Sequence, residues 1–213
     1  MCRHDALPGH ERARMQSIPQ RPGDPNPASR RAYARRLLTG LLLLLAPVLT
    51  HASDEVWLQV DTEAQELRVL RGLEVLRVYR DIAIGRSGTT NDKRRLDGKT
   101  PLGEYRISLV KNNSKFHRFF GFDYPHLSHA ERALQRGELS VEDYLRVRNA
   151  VRAGRVPPQN TPLGGHLGIH GIGAGEPEVH SDFNWTNGCI ALTNEEVEEL
   201  AQWLRVGTRV VVY

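Results

Sequence analysis

The chain has 213 residues, with 29 Lys and Arg against 25 Asp and Glu, which gives a formal net charge of +4. Residues 1–52 contain eight of the Arg and three of the acids, so residues 53–213 hold 21 basic and 22 acidic residues, a net charge of −1. The basic character belongs to the N-terminal segment, so it gives no indication that the remaining domain binds nucleic acid.

The N-terminal segment is typical of a signal peptide that is removed on export. Its apolar run, Leu37 to Leu49, is thirteen residues long, whereas a membrane-spanning helix needs about twenty. Four arginines precede this run (Arg30, Arg31, Arg35 and Arg36). We predict cleavage after Ala52, which removes residues 1–52 and places the protein in the periplasm. A retained membrane anchor is the alternative.

Two further features of this segment bear on export. The residues "SRRAY", Ser29 to Tyr33, resemble a twin-arginine signal, so that route is open beside ordinary secretion. A true start codon downstream of Met1 would explain the unusual length of the leader.

Residues 53–213 are enough for one domain with its own core. Short runs with alternating or apolar patterns predict strands at 56–60, 66–70, 73–85, 103–110, 167–171 and 208–213. Turn signals separate these runs and predict an antiparallel sheet that folds back on itself. The polar segment Gly88–Gly103, "GTTNDKRRLDGKTPLG", is predicted to be a loop whose Lys and Arg side chains are solvated.

A helical insertion is predicted at about residues 126–160. Ser140 and Asp143 have the spacing of a capping box before a second helix. Four arginines follow (Arg146, Arg148, Arg152 and Arg155), and we expect this face to border the cleft, although a solvated face is equally compatible. Thr193 and Glu196 form another capping box, for a helix predicted to run to Leu204.

Cys189 is the cysteine that remains after the leader, which contains Cys2, is removed. It follows Gly188 in a polar turn, whereas a structural cysteine usually has apolar neighbours. A thiol nucleophile needs a base or cation nearby, and His170, at the end of a predicted strand, is the best candidate. From the residues alone, a structural role remains the commoner explanation for such a Cys and His pair.

Three segments resemble the L,D-transpeptidase catalytic domain family of the YkuD or ErfK type. The residues "IHG", a loop and "TNGCIAL" resemble the family signature of His-Gly followed by Ser/Thr-His-Gly-Cys. "DGKTPLGEYRI" and "FDYPHLSHAERA" resemble two further family segments. The matches occur in family order from about Val56 to Tyr213. The resemblance implies a mainly β fold with small helices, built on a curved antiparallel sheet, with residues 53–213 as the catalytic domain.

The resemblance also implies catalytic roles by position. Cys189 corresponds to the nucleophile and His170 to the proton donor and acceptor. The Gly171 carbonyl would orient His170, and the backbone N–H groups of Gly188 and Cys189 would stabilise an oxyanion.

Three residues near the cysteine, Trp185, Thr186 and Asn187, are candidates for substrate binding. Asn187 stands where the family has a second His, and Ala191 stands where it often has Arg or Asn. These departures leave the rate and the choice of substrate open.

The implied activity is acyl transfer through a thioester, on peptidoglycan stem peptides, by a monomer without a cofactor. An amine acceptor would give a cross-link or attach an outer-membrane lipoprotein, whereas water would make the protein an L,D-carboxypeptidase or a hydrolase of the peptidoglycan–lipoprotein linkage.

Two other classes of protein compete with this interpretation. A zinc-dependent cell-wall hydrolase would use His166, His170, His180 and Asp182 as ligands. A wall-binding module with a dead site would require the loss of the Cys or the His, and both are present.

Overall fold

The computed structural model describes residues 55–213. The predicted signal peptide, with its cleavage after Ala52, lies outside the described residues. Within residues 55–213, none of the helices has the length and apolar character needed to cross a bilayer.

An eight-stranded sheet forms the framework, and a two-stranded pair lies beside it. The large sheet has the strand order β3-β2-β1-β10-β6-β7-β8-β9. Its strands are β1 (Val56–Asp61), β2 (Glu66–Arg71), β3 (Glu74–Tyr79), β6 (Gly103–Ser114), β7 (His117–Phe122), β8 (Gly168–His170), β9 (Ile190–Ala191) and β10 (Arg209–Val212). The small pair consists of β4 (Thr89–Thr90) and β5 (Thr100–Pro101). The prediction of a mainly β fold is confirmed.

Most neighbouring strands of the large sheet are antiparallel, as the alternating patterns predict. Two pairs are parallel, β1 with β10 and β8 with β9. The alternation of β1 is visible in its burial, since Leu58 and Val60 are fully buried and Gln59 between them is not. The second parallel pair is the one that carries the candidate active site.

The predicted strand at 73–85 is wrong in its second half. β3 ends at Tyr79, and Asp81 has a positive φ of 56°, which breaks the strand. The chain then runs beside the cysteine-bearing turn, where Ile84 O accepts from Thr186 N–H at 3.1 Å and Arg86 N–H donates to Thr186 O at 3.0 Å. The broken strand therefore supports the site.

The hairpin formed by β6 and β7 was not predicted from the sequence. β6 continues four residues beyond the predicted end at Val110 and pairs with β7, which was not predicted. The tight turn between them, around Lys115 and Phe116, lies over the candidate active site.

Four helices complete the domain: α1 (Leu127–Gln135), α2 (Val141–Arg152), α3 (Pro177–Asp182) and α4 (Asn194–Ala201). The first two form the predicted insertion, where Ser140 Oγ accepts from Asp143 N–H without the reciprocal bond of a full capping box. The capping box of α4 is complete, but this helix ends at Ala201 rather than Leu204. The short α3 was not predicted.

The insertion returns to the sheet through a segment that is anchored by side chains. Tyr124, fully buried, donates its hydroxyl to Leu163 O at 3.0 Å. Gln159 donates through Nε2 to Tyr124 O and accepts through Oε1 from His166 N–H, both at 2.6 Å. These bonds fix one wall of the candidate active site.

Candidate active site

Cys189 and His170 lie on neighbouring parallel strands and face the same cleft. Ile169 pairs with Ile190 in the β8–β9 register, so one step back along both strands places Cys189 beside Gly168. Both isoleucines are fully buried in the core. Because successive side chains of a strand point to opposite faces, His170 and Cys189 point away from that core. Both line one cleft, and Gly168 places no side chain between them.

His170 is held as a neutral imidazole with a defined tautomer. Burial lowers its pKa to about 4, although the hydrogen bond to Gly171 opposes this shift. Nδ1 lies 2.7 Å from Gly171 O. A carbonyl oxygen only accepts, so Nδ1 carries the proton and Nε2 keeps its lone pair. At neutral pH the group is therefore a base rather than a cation.

Two aromatic rings fix the orientation of this imidazole. Phe116 stacks on His170 with ring centroids 4.2 Å apart, and Trp185 meets it edge-on at 5.7 Å. Trp185 Nε1 in turn donates to His180 Nδ1 at 3.4 Å. The Lys115 ammonium lies 4.7 Å from the centre of the Phe116 ring. The sequence placed Trp185 near the cysteine. It did not place Phe116 and Lys115 there, because the hairpin that carries them was not predicted.

Cys189 rests as a protonated thiol. Burial of the sulfur raises its pKa to about 11, while the backbone of Gly168 and the charge of Lys93 work in the opposite direction. Part of the residue is still exposed to the cleft, and Sγ donates to His166 O at 3.6 Å. His166 has a positive φ of 56°, which turns this carbonyl toward the thiol. A thiol with a raised pKa needs a base to react at neutral pH.

Thr186 organises the turn that precedes the cysteine. Its buried hydroxyl accepts from Gly188 N–H at 3.0 Å and donates to Cys189 O at 2.7 Å. The Gly188 N–H is therefore engaged and not free for an oxyanion, in contrast to the expectation from the sequence. Gly188 itself has a φ of 123°, and a Cβ there would lie 2.4 Å from Lys99 O, so only glycine fits.

The two positions that depart from the family pattern occupy different environments. Asn187 is exposed at the cleft, and its side-chain oxygen accepts from Arg86. Ala191 is fully buried in β9, where its N–H and C=O both pair with Ala83. Asn187 can therefore contact a substrate, whereas Ala191 supports the strand.

The cleft has a volume of about 600 Å³ and a basic lining. Its charged lining residues are Lys93, Arg95 and Lys115, with no Asp or Glu among the lining residues that the structure describes. The insertion contributes Gln159 and Asn160. Such a cleft favours a ligand that carries carboxylates.

The four arginines in and just after α2 lie elsewhere, which corrects the prediction that they border the cleft. None of Arg146, Arg148, Arg152 and Arg155 lines it. Arg146 pairs with Asp143 at 2.9 Å, and the Arg148 guanidinium lies 5.9 Å from the centre of the Tyr144 ring. The alternative, an exposed and solvated face, fits Arg146, Arg152 and Arg155, which are exposed, whereas Arg148 is half-buried.

The residues considered as zinc ligands do not converge. Within residues 55–213, no three His, Cys, Asp or Glu side chains group together as metal ligands do. His170 Nδ1 is already bonded to Gly171 O, and His180 accepts from Trp185.

The fold and this site define a class of protein. Residues 55–212 match the family described as the L,D-transpeptidase catalytic domain, YkuD. The chain belongs to this family. No curated protein sequence matches the chain significantly.

Solved structures with the same fold include the helical cell shape determining protein Pgp2 from Campylobacter jejuni, which is 20% identical with a TM-score of 0.52 and matches 75% of this chain and 48% of its own. An L,D-transpeptidase from Xylanimonas cellulosilytica is 17% identical, with a TM-score of 0.43, over 84% of this chain and 69% of its own. An L,D-transpeptidase from Mycobacterium smegmatis is 16% identical, with a TM-score of 0.40, over 75% and 58%. The chain spans about half the length of the first of these structures.

Proposed function

We propose that this chain is an exported cysteine acyltransferase that acts on peptidoglycan stem peptides by L,D-transpeptidation. The observation that carries the proposal is the placement of the Cys189 thiol and the neutral His170 imidazole in one cation-lined cleft. Family membership supports the reaction class and the peptidoglycan substrate. The structural similarity to a cell shape determining protein is compatible with a role in cell shape.

Acylation would begin with proton transfer from the Cys189 thiol to His170 Nε2, the nitrogen left free by the Gly171 carbonyl. The thiolate attacks the carbonyl carbon of an amide between an L-centre and a D-amino acid. The resulting oxyanion would be stabilised by the N–H of Cys189 itself, since that of Gly188 is engaged by Thr186. Collapse breaks the C–N bond, His170 returns the proton to the leaving amine, and a thioester remains on Cys189.

The acceptor that resolves the thioester decides the activity. An amine of a second stem peptide gives a cross-link, and an amine of an outer-membrane lipoprotein gives an attachment. Water in place of the amine makes the protein an L,D-carboxypeptidase, or a hydrolase of the peptidoglycan–lipoprotein linkage. In each case His170 would accept a proton from the attacking group.

Product analysis tests the proposal and separates these alternatives. The protein is incubated with disaccharide-tetrapeptides, with and without a lipoprotein-linked fragment, and the products are identified by liquid chromatography and mass spectrometry. We expect cross-linked dimers; tripeptides or released lipoprotein would instead select the hydrolytic alternatives. Full turnover in EDTA is expected, and absence of every product with Cys189 intact contradicts the proposal.

A prediction concerns the basic lining of the cleft. Replacing Arg95 and Lys115 with Gln should raise KM for tetrapeptide fragments roughly tenfold, because each cation contributes about 0.7 kcal/mol to a carboxylate at a partly exposed site. The matched control replaces Arg146, Arg148, Arg152 and Arg155 with Gln and should leave KM unchanged. Steady-state kinetics on both variants checks this. A larger increase in KM for the four-arginine variant would show that the substrate binds to the helical insertion instead.

A further inference from the structure

A lysine is buried directly behind the turn that carries the nucleophile. Lys93 lies in the loop between β4 and β5, where the sequence predicts solvated cations, yet only 3% of its surface is exposed. An ammonium group is costly to bury unless it is paired and hydrogen-bonded. The prediction of a solvated side chain is wrong for Lys93, and its contacts explain why it is buried.

The Lys93 ammonium contacts Asn187 and lies close to Gly188, the two residues that precede Cys189. Nζ donates to Asn187 O at 3.2 Å, and it lies 3.2 Å from the position that a Cβ on Gly188 would occupy. The same side chain lines the cleft. The positive charge is therefore in contact with the turn on one side and close to the reaction space on the other.

Asp97 holds this ammonium in place and is itself fixed. It forms an ion pair with Lys93 Nζ, and its carboxylate accepts from the backbone N–H groups of Arg94 at 2.8 Å and Lys99 at 2.9 Å. Burial works to raise the pKa of Asp97, but the hydrogen bonds from Lys93 and the backbone outweigh it and hold the pKa below its usual range. The Asp97 carboxylate is therefore charged at neutral pH and is held by two backbone N–H groups as well as by the Lys93 ammonium, so it fixes the position of that ammonium.

We propose that Lys93, held by Asp97, is a positioning residue for acyl transfer: it fixes the Asn187–Cys189 turn and places a buried positive charge beside the site where negative charge develops. This inference rests on the proposed function. Negative charge appears on Cys189 Sγ as the thiol ionises and on the substrate oxygen in the tetrahedral intermediate. A fixed charge in a water-poor site stabilises both without reorganising as the reaction proceeds.

The other groups around Cys189 do not supply a buried positive charge: Arg95 and Lys115 also line the cleft, but both residues are exposed to solvent. His170 is neutral at pH 7, and His166 faces the sulfur with its carbonyl oxygen. The Asp97 carboxylate, which is paired with Lys93, opposes the effect of the lysine charge. The charge of Lys93 already acts to lower the pKa of the Cys189 thiol against the effect of burial.

The experiment measures the reactivity of Cys189 as a function of pH in the full chain, with Cys2→Ser to leave one thiol. Iodoacetamide alkylation reports the thiolate alone, and acylation by a carbapenem reports the thiolate and the oxyanion together. The double variant Lys93→Met with Asp97→Asn removes both charges at nearly constant volume, so no orphaned charge is left buried. Asp97→Asn alone keeps the ammonium and removes its counter-charge. Lys111→Met, at an exposed lysine, is the control.

We expect opposite shifts from the two variants. The double variant should move the alkylation profile to higher pH and slow acylation about tenfold, whereas Asp97→Asn should move the profile to lower pH. If the pair had a purely structural role, both variants would shift the alkylation profile in the same direction, and that result overturns the proposal. An alkylation profile of the double variant that matches the wild type also overturns it. If the double variant does not fold, the direction of the shift in Asp97→Asn decides. If the wild type forms no carbapenem adduct, the proposed function is contradicted. The alkylation profiles still test the effect of Lys93 on the Cys189 thiol.

Discussion

Cys189→Ala is expected to abolish formation of the acyl-enzyme while the domain stays folded. The reason is that the sulfur is the bond-forming atom of the proposed reaction, so no other group can carry the thioester. Cys189→Ser should also fail, because a hydroxyl is far less acidic than a thiol and His170 is a weak base with a pKa of about 4. Intact-mass spectrometry after exposure to a carbapenem should show one adduct on the wild type and none on either variant.

Peptide mapping and melting temperature provide the controls for this result. The adduct should map to the peptide that contains Cys189 and not to Cys2. Since Cys189 is only partly buried beside a polar turn, we expect little change in melting temperature on replacement by Ala. An adduct that persists on Cys189→Ala would refute the assignment of the nucleophile.

His170→Ala is expected to lower the acylation rate at pH 7 about a hundredfold or more, as for the loss of a general base. The sign of the pH dependence follows from the two pKa values. His170 is neutral above about pH 4, so it assists the wild type across the neutral range. Without it, the reaction depends on spontaneous ionisation of a thiol with a pKa of about 11. The deficit should therefore shrink as the pH rises toward 10, measured by stopped-flow acylation.

A second buried histidine gives a matched control. Burial also lowers the pKa of His129 to about 4, but this residue packs against Tyr105 and Tyr124 and does not line the cleft. His129→Ala should destabilise the fold without changing the shape of the pH–rate profile. If the His170→Ala profile is parallel to the wild type at all pH values, His170 is not the base.

Much of the sheet is predictable because its strands carry clear alternation. β1, β2 and β10 alternate between buried and half-exposed residues, so their pattern is visible in the sequence. β7, "HRFFGF", is not predictable in the same way. Its last three residues are all buried, so the strand lacks the alternation of buried and exposed residues that identifies a strand in the sequence. The break after β3 depends on the positive φ of Asp81, which composition does not reveal.

In the candidate site, the sequence indicates the proposed reactive pair but not the residues that surround it. Cys189 and His170 were selected because they match the family signature, since from the residues alone a structural role is the commoner explanation for such a pair. Lys93 was missed because a lysine in a polar loop is normally solvated, and only the i to i+4 spacing to Asp97 offered a signal. Phe116 was missed because its contact with His170 depends on a hairpin turn that returns over the sheet.

The position of β10 has a consequence for the order of folding. This strand, late in the chain, fills the middle of the sheet between β1 and β6, and Trp57 pairs with Arg209, 152 residues later. Closing that loop costs about 2 kcal/mol more chain entropy than pairing Leu67 with Tyr79 in the β2–β3 hairpin. We therefore expect the local hairpins to form early. Until β10 docks between them, β1 and β6 each have one unpaired edge. During that interval the nascent sheet exposes edges that invite misassociation with other chains, a hazard that the finished domain no longer presents there.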